Sequence, residues 1–193
     1  IAELENIGER ISKPHPNDSE DAKKAVVAAL PNFVYYSSYG NLDSEIYLPH
    51  VIENLNREGL GDKDAAKSRT LKVLFQFVGL QPAEILELGK ENAADIASTG
   101  GKKTERAILL DSASTRLTEN FRMFWKQGNY TFDIRADGNH LRIWVADTLR
   151  PQRIELEGRS AGLQWFLSFF LVFLVEREDK HAHSILLLDE PGH

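Results

Sequence analysis

The sequence contains no cysteine among its 193 residues. This absence excludes a disulfide framework and any metal site built on thiolates. Chains without disulfides suit the reducing cytosol, and we expect a cytoplasmic protein on that ground.

Long apolar runs are also missing. The longest, from Leu163 to Val175, is interrupted by Gln164 and Ser168. A membrane-spanning helix needs roughly 18 or more consecutive apolar residues, so this run is too short to cross a bilayer. It also lies far from the amino terminus, which excludes the apolar core of a signal peptide. No membrane partner is therefore expected.

Basic residues are fewer than acidic ones, 23 against 29, which gives a net charge of −6. This balance argues against a chain that coats nucleic acid without specificity, but it allows a local basic patch. The segment from Lys102 to Lys126 is one such candidate. Glu105, Asp111 and Glu119 interleave with its basic residues, which favours an ordinary solvated helix face.

The middle of the chain has the pattern of helices. Apolar residues at helical spacing predict one helix over 65–78 and a long one over 104–125. Pro82 begins another predicted helix that runs to about Ala97. The next four residues, 98–101, contain two glycines and are predicted to be a flexible linker. The candidate core positions of the long helix are Ile108, Leu109, Leu117, Phe121 and Phe124.

After Gly128 the pattern changes to that of strands. Apolar and polar residues alternate over 130–134 and again over 141–145, with a turn at Asp137-Gly138 between them, which predicts an antiparallel hairpin. Residues 163–177 are apolar nearly all round and predict a buried helix. Residues 33–36 and 185–188 predict two further strands, and the second has the aliphatic character of a central parallel strand.

Two carboxylates, Asp189 and Glu190, follow that last strand directly. Open α/β sheets place their ligands at the carboxyl ends of such strands. There the first carboxylate can hold Mg²⁺, and the second can orient and deprotonate a water for in-line attack on a γ-phosphate. Two solvated acids at a strand end would have the same pattern, so this motif alone leaves both interpretations open.

Residues 159–164 read Arg-Ser-Ala-Gly-Leu-Gln at the head of the predicted buried helix. Ser160 is a natural N-cap, and the free amides of a helix N-terminus can bind phosphate. Gly162 would permit a ligand to approach the main chain closely. Taken alone, this segment is explained more simply as an ordinary helix cap.

Together, the two motifs resemble the second half of an ATP-binding-cassette (ABC) ATPase head. The chain is more narrowly similar to AAA-family proteins related to the OLD nucleases, to RecF and to SMC proteins. In those proteins an antiparallel hairpin region precedes an Arg-Ser-x-Gly signature and a Leu-Leu-Asp-Glu-Pro-Gly Walker B motif. The resemblance covers about Tyr130 to Gly192. Residues 32–39 more loosely resemble the segment that precedes the helical arm.

This resemblance implies an α/β fold, a partial P-loop NTPase domain with an antiparallel hairpin region and a helical lobe. Residues 1–42 would contain a strand and a flanking part of the ATPase head. Residues 43–127 would form the helical lobe or the stub of an arm, and residues 128–193 the part of the head with the signature helix and the Walker B strand.

The resemblance also implies ATP and Mg²⁺ as cofactors. Asp189 would support the magnesium ion and Glu190 would be the general base. Ser160 and Gly162 would contact the γ-phosphate of ATP held on a partner head. Since two heads sandwich the nucleotide in this family, a homodimer through the heads is expected. DNA would be a further partner, bound through the parent complex.

The sequence departs from the family pattern in having no Walker A motif. The nearest string, 96–103, has Ile96 in place of the first glycine and Lys103 in place of the hydroxyl residue. We interpret the chain as a fragment of an ATPase that is inactive by itself. The alternative is a non-catalytic, cassette-derived module for dimerisation or partner binding.

Overall fold

The computed structural model describes residues 5, 7, 19–36, 40–90, 96–175 and 184–188. Within them helices and strands are mixed. The helices are α1 (Glu20–Ala29), α2 (Leu48–Leu55), α3 (Asp62–Val78), α4 (Pro82–Leu88), α5 (Ile96–Phe124), α6 (Leu156–Arg159) and α7 (Ala161–Phe169), and a π-helical segment (Phe170–Val175) continues α7. The strands are β1 (Asn32–Tyr36), β2 (Glu45–Tyr47), β3 (Tyr130–Asp137), β4 (His140–Asp147), β5 (Ile154–Glu155) and β6 (Ser184–Leu188).

The predicted hairpin is confirmed as the centre of an antiparallel sheet. β3 and β4 pair along their whole length, from Tyr130 opposite Asp147 to Asp137 opposite His140. Gly138 begins the two-residue turn with a φ of 54°, a left-handed conformation that favours glycine. β2 and β5 pair with β4, so β3 forms an edge of this sheet within the described residues.

Polar side chains of α5 hydrogen-bond the main chain of β3. The Ser114 hydroxyl accepts from the Ile134 amide at 2.8 Å, and the Thr118 hydroxyl accepts from the Phe132 amide at 2.9 Å. One turn further along α5, the Arg122 guanidinium donates to the Tyr130 carbonyl at 2.8 Å. Side chains four residues apart on a helix lie about 6 Å apart, close to the spacing of alternate strand residues. The long helix is thereby held in register with the sheet.

The main apolar core lies between the helices and the inner face of this sheet. Its centre is Phe121, whose ring makes edge-to-face contacts with Phe132, Phe166 and Phe170 at centroid distances of 5.0–5.7 Å. Such pairs contribute about 0.5–1.5 kcal/mol each beyond the burial of their area. Residues of the helical region and of the hairpin are members of this one core.

Strands β1 and β6 form a second, parallel sheet, as predicted for 185–188. The register runs from Asn32 opposite Ser184 to Tyr36 opposite Leu188. One face packs against α7 and the π-helical segment, because Val172, Trp165 and the partly buried Leu186 join Tyr36 in a small apolar cluster.

The end of α4 and the start of α5 both differ from the prediction. α4 ends at Leu88 rather than near Ala97, and α5 begins at Ile96, so residues 98–101 are helical and not a linker. The two glycines lower helix propensity by about 1 kcal/mol each relative to alanine. The rest of α5 is fixed by its contacts with the core and β3, and tertiary packing overrides local propensity.

Two predicted core positions of α5 are wrong. Leu117 and Phe121 are fully buried, but Ile108 and Phe124 are 60% and 46% exposed. The face of α5 that lies against the sheet runs through Leu110, so Ile108 points away from it.

The basic residues of α5 differ in their exposure to solvent. Arg106 is buried and its guanidinium donates to the Gly138 carbonyl at 2.7 Å. The Arg116 guanidinium lies over the Phe77 ring, 5.5 Å from its centroid. The predicted solvated face is therefore wrong for Arg106, whereas Arg116 is exposed, as predicted.

The apolar segment after residue 160 begins as the predicted helix. It is α-helical only to Phe169 and π-helical from Phe170 to Val175. Within the described parts of the chain, no helix is both long and apolar enough to cross a bilayer.

Candidate functional site

The predicted signature residues lie together at the start of α7. Ser160 is the N-cap, and its hydroxyl accepts from the Leu163 amide at 3.0 Å. The Ser160 carbonyl accepts from the Gln164 amide at 3.2 Å. The amides of Ala161 and Gly162 are therefore the ones that this first turn could offer to an anion. Ser160 and Ala161 are exposed and Gly162 is half-buried, so a ligand could reach them.

Arg159, directly before this cap, points into the protein. Its side chain is 5% exposed, donates to the Arg150 carbonyl at 2.5 Å and lies 3.4 Å from the Asp147 carboxylate. The same carboxylate accepts from the amides of Leu149 and Arg150 at the end of β4. Arg159 thus fixes the start of α7 against the antiparallel sheet.

The first two turns of α7 hold both main-chain groups of Leu42, an arrangement that we name the Leu42 clamp. The side-chain amide of Gln164 donates to the Leu42 carbonyl at 2.7 Å, and the Ser168 hydroxyl accepts from the main-chain amide of Leu42 at 2.9 Å. Ser168 also donates to the Gln164 carbonyl at 2.8 Å. Because Leu42 follows β1 closely, the clamp fixes the chain that leaves the carboxyl end of that strand.

The residues after Leu42 carry charges that extend this arrangement. Asp43 forms an ion pair with Lys67 of α3, and the Ser44 amide donates to the Glu157 carboxylate at 2.5 Å. Burial lowers the pKa of Lys67, while the charge of Glu157 opposes this shift. No local pattern in the sequence indicates these contacts, since the partners lie on distant segments.

The two predicted carboxylates, Asp189 and Glu190, lie outside the described residues. The described strand β6 ends at Leu188, opposite Tyr36 at the end of β1. Since the strands are parallel, both carboxyl ends lie at one edge of the sheet.

Tyr36 is a buried titratable group at this edge. Its ring makes edge-to-face contacts with Trp165, Phe169 and Phe173 at centroid distances of 5.3–6.0 Å. Burial raises the pKa of its phenol well above the usual value, an effect that nearby Ser168 and the charge of Arg69 oppose. The phenol oxygen has no hydrogen-bond partner among the described residues.

The opposite face of the parallel sheet is apolar and open within the described residues. Phe33 and Tyr35 of β1 are 57% and 61% exposed, and Ile185 and Leu187 of β6 are 45% and 46% exposed. Helix α1, which leads into β1, buries none of its residues. Parallel sheets are normally covered on both faces. The apolar residues on this face are of the kind that such a covered face contains. Sequence reasoning did not indicate that it would be uncovered.

The described residues do not by themselves form a metal centre. No group of three or more histidine, aspartate or glutamate side chains in these parts of the chain could hold a metal ion. What the structure brings together is the capped start of α7, the Leu42 clamp and the carboxyl edge of the parallel sheet. No protein-family model, curated protein or solved structure matches the chain.

Proposed function

We propose that this chain is part of the head of an ABC-type ATPase, of the kind found in SMC-like and OLD-like proteins. The observation that carries this function is the parallel pairing of β1 with β6. It puts the carboxyl end of β6, which Asp189 follows in the sequence, at the same sheet edge as the carboxyl end of β1. Ligands of open α/β sheets bind at that edge.

The start of α7 supports the same function. Its N-terminus is capped by Ser160, exposed, and offers the Ala161 and Gly162 amides. A helix N-terminus of this kind stabilises phosphate through its amides and its dipole. In the proposed head, Ser160 and Gly162 contact the γ-phosphate of ATP bound to a second head, and the active form is a homodimer.

The exposed apolar face of the β1–β6 sheet is what we expect of a layered domain from which one layer is missing. Exposing Phe33, Tyr35 and Leu187 to water is unfavourable by roughly 25 cal/mol for each Å² of apolar area. We propose that further polypeptide of the same ATPase, with its Walker A motif, covers this face and completes the nucleotide site. The 193-residue chain alone is then expected to hydrolyse no ATP.

In the completed site, Asp189 would hold Mg²⁺ and Glu190 would accept the proton of the attacking water. The magnesium ion would supply charge neutralisation at the β- and γ-phosphates. DNA maintenance or defence is the process in which such an ATPase acts, and DNA reaches it through the parent complex.

The decisive experiment uses the parent protein with Glu190→Gln. We expect this variant to bind ATP with Mg²⁺ and to lose turnover, because an amide cannot accept the proton. Asp111→Asn, an exposed carboxylate on α5, is the matched control and should leave turnover unchanged. Unchanged turnover in Glu190→Gln would refute the role of Glu190. A parent without a Walker A motif would refute the ATPase itself.

The second candidate is a non-catalytic module that dimerises or binds a partner. The missing Walker A motif and the open apolar face of the parallel sheet favour it. In that case the parent binds no ATP, and Glu190→Gln does not change its behaviour. Substituting Phe33 with a charged residue abolishes dimerisation or partner binding.

A further inference from the structure

A cavity of about 720 Å³ lies between the first half of α5 and the hairpin end of β3, and Gly89 at the end of α4 also lines it. We name it the α5–β3 cavity. Its volume is within the range of about 300–1,000 Å³ that is common for small-molecule sites. None of its described lining residues belongs to α7 or to the parallel sheet, so it is distinct from the proposed nucleotide site.

Arg106 is a buried cation in the wall of this cavity. It is 8% exposed, and its guanidinium donates to the Gly138 carbonyl at 2.7 Å. Its Nε is enclosed and has no hydrogen-bond partner among the described residues. Burial lowers the pKa of Arg106, and the charge of Asp137 opposes this shift. Because a buried charge is unfavourable without a partner of opposite sign, Arg106 is suited to bind an anion.

The main chain of two glycines fixes the Arg106 guanidinium. A β-carbon at Gly89 would lie 2.7 Å from the guanidinium carbon, so the lack of a side chain lets the end of α4 lie directly against it. The Gly138 carbonyl accepts one of its N–H groups. An anion would meet a guanidinium that is already oriented, so little side-chain entropy is lost on binding.

The α5 side chains that hydrogen-bond β3 and its turn leave a gap at Ala136. Ser114 accepts from the Ile134 amide, and Arg106, two turns earlier on α5, binds the turn that follows β3. Leu110 and Ala136 lie midway between these two contacts, and the Leu110 side chain has neither a donor nor an acceptor. Main-chain groups of alternate strand residues face the same side, so the Ala136 N–H and C=O face α5, as the Ile134 amide does. Among the described residues they have no partner there, and Ala136 lines the cavity.

The remaining lining residues determine which ligand charge is complementary. The charged ones in the described part of the chain are Lys103, Arg106, Arg135, Asp111 and Asp137. Lys103 and Arg135 already have partners, whereas Asp111 and Asp137 are exposed carboxylates. Three cations and two carboxylates leave one net positive charge, which fits a singly charged anion. The two carboxylates disfavour a phosphate that carries two charges.

We propose that the α5–β3 cavity binds a small monocarboxylate with an amide beside its carboxylate, the chemistry of an N-acylated amino acid or of a peptide carboxyl terminus. The carboxylate accepts charge-assisted hydrogen bonds from Arg106. The amide pairs with the Ala136 N–H and C=O, as an added strand does. Ala136 and Gly138 are about 7 Å apart along the strand, a distance that one extended residue and its acyl group span. An apolar ligand side chain contacts Leu110.

Two probes that differ only in the carboxylate test this chemistry. They are N-acetyl-leucine and N-acetyl-leucinamide, titrated into the ¹⁵N-labelled 193-residue chain and followed by the amide resonances. For a ligand of this size we expect a Kd of about 1 mM for N-acetyl-leucine, with a shift of the Ala136 amide signal. The amide probe should bind at least about 10-fold more weakly, because it loses a hydrogen bond between charged groups.

A longer probe distinguishes the two sources of this chemistry. It is an acetylated tetrapeptide of three alanines and a carboxyl-terminal leucine. Equal affinities of the tetrapeptide and N-acetyl-leucine assign the cavity to a free small molecule. Tighter binding of the tetrapeptide assigns it to a peptide carboxyl terminus, and either result supports the proposed chemistry.

Ala107→Phe fills the cavity from an exposed position on α5 and leaves the bond between Arg106 and Gly138 in place. We expect it to abolish binding. Ser112→Phe adds the same ring at an exposed position of α5 that does not line the cavity, so it should bind as the unmodified chain does. Arg106→Lys keeps the charge but loses the planar fork, and should weaken binding by at least about 10-fold. Circular dichroism verifies the fold of each variant, and Ala107→Phe tests the site even where Arg106→Lys does not fold.

Four results would overturn the carboxylate site. They are equal affinity for N-acetyl-leucine and its amide, an unmoved Ala136 signal at about 10 mM N-acetyl-leucine, unchanged binding in Ala107→Phe, and equally tight binding of inorganic phosphate. The proposed ATPase does not enter this test, because the cavity shares no described residue with α7 or the parallel sheet. Failure of either proposal therefore leaves the other unaffected.

Discussion

The side-chain amide of Gln164 donates a 2.7 Å hydrogen bond to the main-chain carbonyl of Leu42, which precedes it by 122 residues. Leu42 is fully buried, so water cannot replace this donor. Together with Ser168, which accepts from the Leu42 amide, Gln164 joins the start of α7 to the chain leaving β1. Leu42 is therefore one of the points at which α7 is held to the segment that follows β1.

Gln164→Leu should lower the free energy of unfolding by about 1–3 kcal/mol, because it leaves a buried carbonyl without a donor. Urea unfolding, followed by circular dichroism, measures this change. Gln152→Leu is the control, since Gln152 is exposed and the same atoms are exchanged. Equal effects of the two substitutions would mean that the clamp does not contribute to stability.

Ser160→Asp separates the capping role of Ser160 from its proposed role at the nucleotide. Aspartate caps helices as well as serine does, so unfolding free energy should stay within about 1 kcal/mol. Its negative charge would repel a γ-phosphate, and ATP turnover of the parent should fall by about 100-fold, as when an anion-binding donor is lost. The neutral cap of Ser160→Asn is the control and should retain most turnover. Full turnover in Ser160→Asp would place the phosphate elsewhere.

The hairpin was predictable because its alternation is local, and strands β1 and β6 were predictable because each is a short run of apolar or aromatic residues. Alternating apolar residues in 130–134 and 141–145 identify which face is buried, and the glycine turn determines the pairing. The cap at Ser160 was predictable for the same reason, since its acceptor role involves an amide three residues away.

The contacts around this cap could not be predicted from the sequence. Arg159 reaches Asp147, and Gln164 reaches Leu42, and neither partner is marked by any local pattern. The linker prediction at 98–101 was wrong for a different reason. The low helix propensity of Gly100 and Gly101 indicated a break where tertiary packing maintains a helix.

Gly101→Ala tests whether this segment is helical. The main chain there is helical, and a β-carbon at Gly101 would meet no atom within 4 Å. Alanine should therefore raise the free energy of unfolding by about 0.5–1 kcal/mol. Thermal or urea unfolding measures the gain. Gly59→Ala, also in open space but at a φ of 76°, should destabilise the chain and is the contrasting control. No gain in Gly101→Ala would favour the flexible linker.

Gly89→Ala should be destabilising for a steric reason. A β-carbon at Gly89 would lie 2.7 Å from the Arg106 guanidinium carbon, and Arg106 is held by its bond to the Gly138 carbonyl. Displacing such a buried group costs about 1–3 kcal/mol. A double-mutant cycle checks the cause, since the same substitution should cost less when Arg106 is already alanine. Equal costs in both backgrounds would exclude the clash.

Tyr36→Phe tests the effect of the buried phenol on alkaline stability. Burial raises the pKa of Tyr36 in the folded chain above its ordinary value of 10.0. Above that pH the unfolded state loses the phenol proton while the folded state retains it. Stability must then fall as pH rises, by up to about 1.4 kcal/mol per pH unit.

Phenylalanine cannot ionise, so Tyr36→Phe should unfold at a higher pH than the unmodified chain. At pH 7 its stability should differ by no more than about 1 kcal/mol, because the hydroxyl that it removes has no hydrogen-bond partner of good geometry. Tyr47→Phe, which removes the hydroxyl of a 46% exposed ring on β2, is the control. Unfolding measured against pH between about 8 and about 12 distinguishes them. Identical alkaline transitions for Tyr36→Phe and the unmodified chain would mean that water reaches the phenol, which would contradict the packing of α7 against β1.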